Sequence, residues 1–511
     1  MEQKINQIKA GVALSYISLI VGNIIVLLYT PVMLRLLGAS EYGIYSLCNT
    51  ISSTIAMMDA GMGIAAVRYI VRDKGNPEKQ ASTMGMFLIF NVILGIIAFL
   101  LMETIIFKAD AIFGDSMTAS EIHSIKVIIT ITSVYLLLSF CFAVFQAAVT
   151  AYERFVFIKI LDIAKSIALP LLILPFLFTG HKAIAMSTIT VTIFSAILII
   201  KFLYCLFYLK LKVNFNKIDM SLVKEAIPFA LVIFSKLILE RLFWTEGQFI
   251  LGYTSGSVAV AMIALAVQLK GYVESISLSV NNLFLPRCSE YATMNNGLSL
   301  ASDLFVKVTR LQTIIMGLVI SGYIVFGKDF VRLWAGEEYA DAFWASLLII
   351  VPCTITFVQG MGNAILQAFG KVRFQSLVYF IIVVYVAVLT FIFGYQYGTI
   401  GCAAIMATAV IGFEVIVMNA YYYKIGIDIK KIWGNMLKIL LCFFPITLIF
   451  LFGIYFRPIY GWGTLIVGIV LFSLISLLLI LKFVINEYER QLLIYIKTKV
   501  KNALYYSKLG L

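Results

Sequence analysis

Six ionisable side chains stand inside long apolar stretches of the sequence, where an ionised group is hard to accommodate. They are Asp59, Lys236, Glu240, Arg241, Lys270 and Glu274. A charge at the centre of a bilayer costs about 2.5–3.5 kcal/mol on insertion scales, and such residues usually bind a substrate, carry a proton or line an ion path. Their positions therefore mark a candidate functional site.

The spacing of these residues groups them into three polar stripes, each on one face of a helix. The stripes contain Tyr45, Asn49, Ser52 and Asp59; Lys236, Glu240, Arg241, Trp244 and Gln248; and Lys270, Glu274, Ser277 and Asn281. Two interpretations remain open. The stripes line a polar cavity, which we favour, or the i,i+4 pairs Lys236–Glu240 and Lys270–Glu274 only neutralise each other and join helices.

Other segments that match catalytic or cofactor motifs have simpler explanations. The segment GMGIAA (Gly61–Ala66) fits a dinucleotide pattern, but it follows a helical stretch, and its glycines suit close helix packing. His123 and His181 lack metal-ligand spacing. The seven cysteines form no CxxC pair and are typical of small core residues. We therefore expect no catalytic residue, no metal and no cofactor.

The composition shows which elements must position the stripes. Of the 511 residues, 62% are hydrophobic and 13% are charged, against roughly 25% charged in soluble domains. This predicts an all-α polytopic membrane protein. The net charge of +13 would suggest nucleic acid in a soluble protein, but here the cations concentrate in alternate loops, so we expect no nucleic-acid partner.

About fourteen segments are apolar for the roughly 20 residues that a membrane helix needs. The fifth, with two prolines, and the seventh, with internal charges, are the weakest. The segments are 12–34, 43–68, 82–107, 124–149, 158–179, 183–209, 227–251, 257–284, 304–327, 342–368, 375–396, 400–423, 437–456 and 462–484.

The distribution of Lys and Arg predicts the orientation. With both termini in the cytoplasm, only seven of the 39 lysines and arginines fall in outside loops, as the positive-inside rule requires. Those seven are Arg35, Lys108, Lys126, Lys182, Lys328, Arg332 and Arg457. Asp162 and Lys165 would snorkel to the cytoplasmic surface, and residues 486–511 would form an amphipathic helix on the inner leaflet.

A weak internal repeat suggests that a six-span unit occurs twice. Gly38 in RLLGASEYG matches Gly252 in FILGYTSG, and Gln146 and Arg154 match Gln367 and Arg373. Six is even, so the two copies would have the same orientation and enclose a cavity between them. We predict an N-lobe at 1–212 (spans 1–6), a C-lobe at 213–425 (spans 7–12), two further spans at 426–485 and the tail at 486–511.

Three short motifs resemble those of the Wzx-type polysaccharide flippases. LLGASEYGIYSL is followed by MMDAGMGIAAVRYI (Met57–Ile70), AYERF resembles the family's inner turn after span four, and FGKDFVRLWAGEEYADAFWASLLIIVP (Phe326–Pro352) resembles its outside loop after span nine. In the first motif we expect Gly38 and Gly43 to form a tight outside turn.

The resemblance implies a fold and a function. The fold is that of the MOP superfamily, which includes MATE exporters and the lipid II flippase. The function is alternating-access transfer of an undecaprenyl-pyrophosphate-linked oligosaccharide to the outer leaflet of a bacterial cytoplasmic membrane, without a cofactor and alongside other polysaccharide assembly proteins. It also implies that cavity residues meet the pyrophosphate and sugars, and that spans 13 and 14 form a groove for the lipid tail. The phosphate candidates are Arg35, Arg68, Lys236, Arg241 and Lys270.

The charge balance of the three stripes leaves alternatives open. Three cations face three carboxylates, whereas flippases for anionic lipids tend to have a cationic lumen. Asp59 or Glu274 would therefore suit coupling to H⁺ or Na⁺, and a MATE-like antiporter of cationic drugs is the main competing function. A membrane polymerase or ligase would need a large outside loop, which the sequence lacks.

Overall fold

The computed structural model describes residues 2–215, 220–281, 283–486 and 489–490. The predicted tail at 486–511 lies almost wholly outside the described residues, and so does the side chain of Lys236. Within the described ranges the regular structure is entirely helical, which confirms the predicted all-α class.

Seventeen α-helices make up the described chain. They are α1 (Glu2–Leu37), α2 (Ala39–Ala56), α3 (Ala60–Arg72), α4 (Pro77–Phe113), α5 (Ala119–Ala151), α6 (Phe155–Phe178), α7 (Ala183–Leu203), α8 (Met220–Thr254), α9 (Gly256–Asn281), α10 (Leu285–Tyr291), α11 (Gly297–Ala335), α12 (Ala342–Val358), α13 (Met361–Ala368), α14 (Val372–Ala409), α15 (Met418–Lys424), α16 (Ile429–Phe456) and α17 (Trp462–Phe483).

Each of the predicted membrane segments falls on one or two of these helices. Ten helices within the described ranges are long and apolar enough to cross a bilayer, or eleven if the bent pair α12–α13 counts as one span. The weak fifth segment, α6, is among the ten, but α8 is not, and Val372–Lys424 counts once although it covers two predicted spans. The exact number of fourteen therefore stays a prediction.

Local sequence signals explain where several helices begin and break. The Asn76 side chain accepts hydrogen bonds from the backbone of Glu78 and Lys79 at the start of α4, and Thr118 forms a capping box with Glu121 at the start of α5. The long α14 breaks at Gly398, which has φ 51° and ψ −138°. That left-handed region favours glycine, and the break separates the eleventh predicted span from the twelfth.

The chain divides into two compact units. Unit 1 contains Met1–Leu269, Trp334–Ile349 and Arg373–Val410, and unit 2 contains Lys270–Leu333, Ile350–Val372 and Ile411–Leu511. Each has an apolar core of its own: one cluster in unit 1 includes Tyr69, Phe87 and Phe145, and one in unit 2 includes Phe326 and Phe472. The predicted lobes at 1–212 and 213–425 stay a prediction.

Candidate functional site

The elbow between α1 and α2 is a one-residue break. Gly38 has φ 77°, a left-handed conformation in which a side chain would be strained, and this agrees with the expected tight turn. Gly43 has a different role from the one predicted. It lies inside α2 and is buried, and a Cβ there would collide with the carbonyl oxygen of Ser257. Gly43 therefore lets two helices approach closely and does not form the turn.

A second elbow of unit 1 lies between α8 and α9, close to the glycine that the internal repeat matches to Gly38. The helix break falls at Gly256, with φ 81°, whereas Gly252 lies within α8 and packs against Leu47. Gly256 therefore shares the positive φ of Gly38, and the repeat itself stays a prediction.

The motif around Trp334–Tyr339 packs directly on the first elbow. Trp334 Nε1 donates to the carbonyl of Leu27 at 3.0 Å, and Tyr339 Oη donates to the carbonyl of Leu34 at 3.3 Å. Glu338 accepts from the backbone N–H of Ala39 at 3.3 Å, where the helix dipole favours an anion. Two of the motifs that carry the family resemblance therefore form one contact region.

The elbow also gathers other helices of unit 1. Glu121 Oε1 accepts hydrogen bonds from Ser40 Oγ at 2.6 Å and from Ser257 Oγ at 2.5 Å. Glu41 accepts from the backbone N–H of Ala183, at the start of α7, at 3.2 Å. Charge-assisted hydrogen bonds of this kind are stronger than neutral ones, so α2, α5, α7 and α9 are fixed to one another at this end.

A cavity of about 530 Å³ lies within unit 1, a size typical of ligand sites. Six helices line it: α1, α2, α6, α7, α8 and α9. Its polar lining consists of Tyr29, Thr30, Tyr42, Tyr45, Ser46, Asn49, Thr50, Lys165, Ser166, Arg241, Trp244, Thr245, Gln248 and Gln268. Among these described lining residues the charged ones are two cations, Lys165 and Arg241.

Hydrogen bonds fix the wall of the cavity formed by α2 and α8. Gln248 Oε1 accepts from Thr50 Oγ1 at 2.6 Å and from Ser46 Oγ at 3.2 Å. Arg241 Nη2 donates to Ser53 Oγ at 2.5 Å. On the neighbouring wall, Tyr42 Oη donates to Gln268 Oε1 at 3.1 Å. The cavity is thus a preorganised set of amides, hydroxyls and aromatic rings around two positive charges.

Of the nine residues predicted for the site, Arg241 lines this cavity. Arg35 is exposed at the end of α1, next to the elbow, and Arg68 is exposed near the far end of α3. Arg68 lies 5.6 Å from the Tyr69 ring centre. Asp59 and Glu240 are not among the lining residues. The first stripe is therefore divided, since Tyr45 and Asn49 reach the cavity while Ser52 hydrogen-bonds Thr132 at 3.1 Å.

The third predicted stripe belongs to unit 2 from its first residue. Lys270 Nζ and Glu274 Oε2 form an ion pair at 2.8 Å, as the structural-pairing interpretation expects. Ser277 Oγ donates to the carbonyl of Phe357 at 2.7 Å, and Asn281 Nδ2 donates to Ser277 Oγ at 3.1 Å. Ser277 and Asn281 thus bond to the Phe357 carbonyl beside the bend of 49° between α12 and α13. The backbone N–H of Gly360 donates to the same carbonyl at 3.1 Å.

Lys165 is the cavity cation that the sequence did not predict. Its position near the start of the fifth segment suggested a snorkelling role with Asp162. In the structure Lys165 lines the cavity, 4.0 Å from Asp162 and 5.6 Å from the Phe194 ring centre. Leu169, one turn later on the same face of α6, lines the cavity as well.

At the end of α3 opposite the elbow, a second polar contact fixes the loop to α4. Asp73 accepts from Thr83 Oγ1 at 2.6 Å and from Arg72 Nε at 3.0 Å. Burial favours the neutral carboxyl, but these hydrogen bonds outweigh it and hold the pKa of Asp73 below its ordinary value. Asp73 therefore remains an anion at neutral pH and fixes the last turn of α3.

Unit 2 contains a separate apolar groove of about 310 Å³. It lies between α11 and α17, the helix of the fourteenth predicted span. The lining residues are Leu318, Val319, Gly322, Tyr323, Phe326, Gly327, Phe330, Ile469, Phe472 and Ser473. The groove is apolar along nearly its whole length, unlike the cavity of unit 1.

The part of the chain that forms the cavity matches a known protein family. The family model described as "Polysaccharide biosynthesis protein" matches residues 8–292, which is more than half of the chain. The chain belongs to this family. No curated protein matches it. The matched range contains every residue that lines the unit 1 cavity.

Solved structures show that this polysaccharide biosynthesis protein has the fold of the MOP superfamily. The lipid II flippase MurJ in an inward-closed conformation has a TM-score of 0.69 at 15% identity, covering 92% of this chain and 97% of that chain. A MATE multidrug resistance transporter in an inward-facing conformation has a TM-score of 0.56 at 15% identity, covering 78% of this chain and 99% of that chain. A MATE multidrug resistance transporter in an outward-facing conformation has a TM-score of 0.54 at 16% identity, covering 82% of this chain and 97% of that chain. The expected family and fold are confirmed.

Proposed function

We propose that this protein flips a polyprenyl-pyrophosphate-linked oligosaccharide from the inner to the outer leaflet of a bacterial cytoplasmic membrane, with both termini in the cytoplasm. The observation that carries the proposal is the unit 1 cavity, with two cations among amides and aromatic rings, in a polysaccharide biosynthesis protein of MOP fold. Membership of the family supports a glycan as part of the substrate. The similarity of the fold to that of a lipid flippase supports transport across the membrane.

The cavity residues suit two parts of such a substrate. Arg241 and Lys165 would meet the pyrophosphate, since guanidinium and ammonium groups bind phosphate oxygens through charge-assisted hydrogen bonds. Asn49, Gln248 and Gln268 would hydrogen-bond sugar hydroxyls, because amides both donate and accept. Arg35, Arg68, Lys236 and Lys270 stay candidates for further phosphate contacts.

The apolar groove of unit 2 suits the lipid part. Its walls, including Phe326 and Phe472, would accept a hydrocarbon chain through burial of apolar surface, at about 25 cal/mol per Å². A tail in such a groove would stay among apolar surfaces and lipids while the sugar crosses the membrane.

A MATE-like antiporter of cationic drugs is the competing function. It would need a carboxylate where the drug binds, and the charged residues among the described cavity lining are Arg241 and Lys165. A cation would be repelled there, whereas a pyrophosphate would be attracted. The cavity charge therefore favours the flippase over the antiporter.

Deletion of the gene in its own host tests the proposal. We expect surface glycan to fall and lipid-linked glycan to accumulate in the inner leaflet, and a plasmid copy should reverse both effects. Lipid-linked glycan is measured by extraction and its leaflet by reactivity with an impermeant sugar-modifying reagent. Unchanged glycan together with loss of resistance to cationic dyes would favour the antiporter.

A further inference from the structure

The AYERF motif forms a turn that holds a charged residue in an unfavourable backbone conformation. At the end of α5 the backbone N–H of Tyr152 donates to the carbonyl of Ala148 at 2.9 Å, and that of Arg154 donates to the carbonyl of Val149 at 3.2 Å. Between them, Glu153 has φ 58°. A residue with a Cβ is strained in this left-handed region, so a helix end of this kind favours glycine.

The same turn occurs between α13 and α14, and there it contains glycine. The backbone N–H of Phe369 donates to the carbonyl of Ile365 at 2.9 Å, and that of Lys371 donates to the carbonyl of Leu366 at 2.8 Å. Between them, Gly370 has φ 67°. The geometry of the turn therefore does not require the carboxylate of AYERF.

A second strained turn follows α7 and contacts the first. Lys210 is the other non-glycine residue with a positive φ in the described part of the chain, at 52°. It comes after the π-helical turn Tyr204–Tyr208, a rare form that is frequent at functional sites. The Arg154 guanidinium of the first turn lies 5.3 Å from the centre of the Tyr208 ring.

Three stacked rings hold Tyr208 against this guanidinium. The ring centres of Tyr208 and Tyr204 are 4.8 Å apart, those of Tyr204 and Phe157 are 4.0 Å apart, and the planes are within 18° of parallel. Arg154 Nε is buried and has no hydrogen-bond partner among the described residues. The guanidinium is thus positioned by a ring while part of its hydrogen-bonding capacity is unused.

The two turns form a basic and open surface. They carry three cations, Arg154, Lys210 and Lys212, and one carboxylate, Glu153, so they attract an anion. Lys210 and Lys212 are exposed, and Tyr208 is 63% exposed. None of these five residues lines the unit 1 cavity, so the surface is separate from the proposed substrate site.

Both turns lie at a surface of the membrane in either orientation of the chain. Three segments long enough to cross a bilayer begin or end here, namely Ala119–Ala151, Phe155–Phe178 and Ala183–Tyr208. Going into the last of these segments, Phe207, Leu203 and Ile199 are exposed at intervals of four residues. A basic end therefore continues into an apolar stripe.

We propose that the two turns bind an anionic phospholipid. The phosphate would contact Arg154 and Lys210, the glycerol would lie on the Tyr208 ring, and one acyl chain would follow Leu203 and Ile199. Cations at a membrane surface attract anionic lipids, and aromatic rings lie at the level of the headgroups. The occupant is a lipid because the apolar stripe runs into the depth of the bilayer. The proposal does not depend on the flippase function.

Lipid binding is measured on the purified full chain in detergent by native mass spectrometry. Phosphatidylglycerol is compared with phosphatidylcholine of identical acyl chains, and we expect phosphatidylglycerol to bind more tightly. Arg154→Gln should lower its affinity about fivefold, the contribution of one cation near a membrane surface, whereas Glu153→Gln should raise it by a similar factor. The matched control is Lys79→Gln, an exposed cation at the start of α4, which changes the net charge equally and should bind as the parent does.

A further variant separates loss of binding from loss of stability. Lys210→Gly removes a cation and also relieves the left-handed backbone. It should therefore leave the thermal midpoint no lower than that of the parent, while the affinity for phosphatidylglycerol falls about fivefold. Unchanged affinity in both Lys210→Gly and Arg154→Gln would overturn the site.

Other outcomes would also overturn it. Equal affinity for the two phospholipids, or a loss in Lys79→Gln equal to that in Arg154→Gln, would mean that overall charge and not the site attracts the lipid. Displacement by glycerol 3-phosphate would indicate a site for a free phosphate. Displacement by a polyprenyl phosphate at a lower concentration than phosphatidylglycerol needs would indicate that the substrate lipid is the occupant.

Discussion

At the scale of single residues, Arg241 carries most of the interpretation of the site. It is one of six charges that the sequence places in apolar stretches, and among those whose side chains the structure describes it is the one that lines the unit 1 cavity. Its hydrogen bond to Ser53 of α2 restricts the rotation of the guanidinium. The other N–H groups of Arg241 are thereby held in a fixed orientation in the cavity wall.

The first prediction concerns this side chain. Arg241→Ala should lower surface glycan about tenfold or more, since one charge-assisted contact contributes about 1.5–3 kcal/mol. Arg241→Lys should keep part of the activity, because an ammonium retains the charge without the bidentate geometry. The measurement is surface glycan in a deletion strain that carries each variant at equal membrane level. The exposed Arg457→Ala is the control, and a loss there equal to that of Arg241→Ala would argue against a cavity role.

At the scale of elements, the elbow shows how helices separated in sequence depend on a short motif. Ser257, next to the break at Gly256, and the motif at Trp334–Tyr339 both contact the α1–α2 junction. The sequence showed these motifs as separate signatures. Their contact explains why a compact polar segment stands between two apolar ones: its donors and acceptors join the ends of several helices.

The second prediction, at the scale of elements, concerns α11 and the end of the described chain. Arg310 donates to Glu489 at 2.8 Å, to the carbonyl of Val484 at 3.1 Å and to Asn435 at 3.2 Å. The side chains of Arg310 and Glu489 are only 15% and 11% exposed. Arg310→Ala should therefore lower the free energy of unfolding by about 2 kcal/mol, measured by thermal unfolding of the purified protein in detergent.

A double-mutant cycle separates this interaction from a general effect of mutation. Arg310→Ala combined with Glu489→Gln should cost less than the sum of the two single changes, because the second removes the uncompensated charge that the first leaves behind. The exposed Asp303→Asn, two turns earlier on α11, is the control and should be near neutral. Strict additivity of the two changes would contradict the proposed anchor.

At the scale of the whole molecule, the testable quantity is topology. A cysteine in place of His181, in the exposed loop between α6 and α7, should react with an impermeant reagent added to intact cells. A cysteine in place of Lys74, in the exposed loop between α3 and α4, should react only after the membrane is opened. The expectation follows from the distribution of Lys and Arg. The reverse pattern would invert the proposed orientation, including which end of the cavity is outside.

The sequence by itself determined the class, the family resemblance and most of the helices, because these depend on local quantities. The length of an apolar stretch predicts a membrane helix. Gly38 predicts a break between two helices, because few other residues adopt a positive φ. The prediction that Gly61 lets helices pack closely is also confirmed, because a Cβ there would collide with the carbonyl oxygen of Ala230. Small residues in membrane helices commonly serve this purpose.

Only the tertiary structure decided which polar residues share a cavity. Helical phase placed Lys270, Glu274 and Asn281 on one face, but it could not show that Ser277 and Asn281 of this face bond to the Phe357 carbonyl beside the bend of α12–α13. It also could not reveal that Lys165, from a different helix, joins Arg241. The physical reason is that phase relates residues within one helix, whereas a site depends on how several helices pack, and that is set by contacts such as Gly43 with Ser257 that lie far apart in sequence.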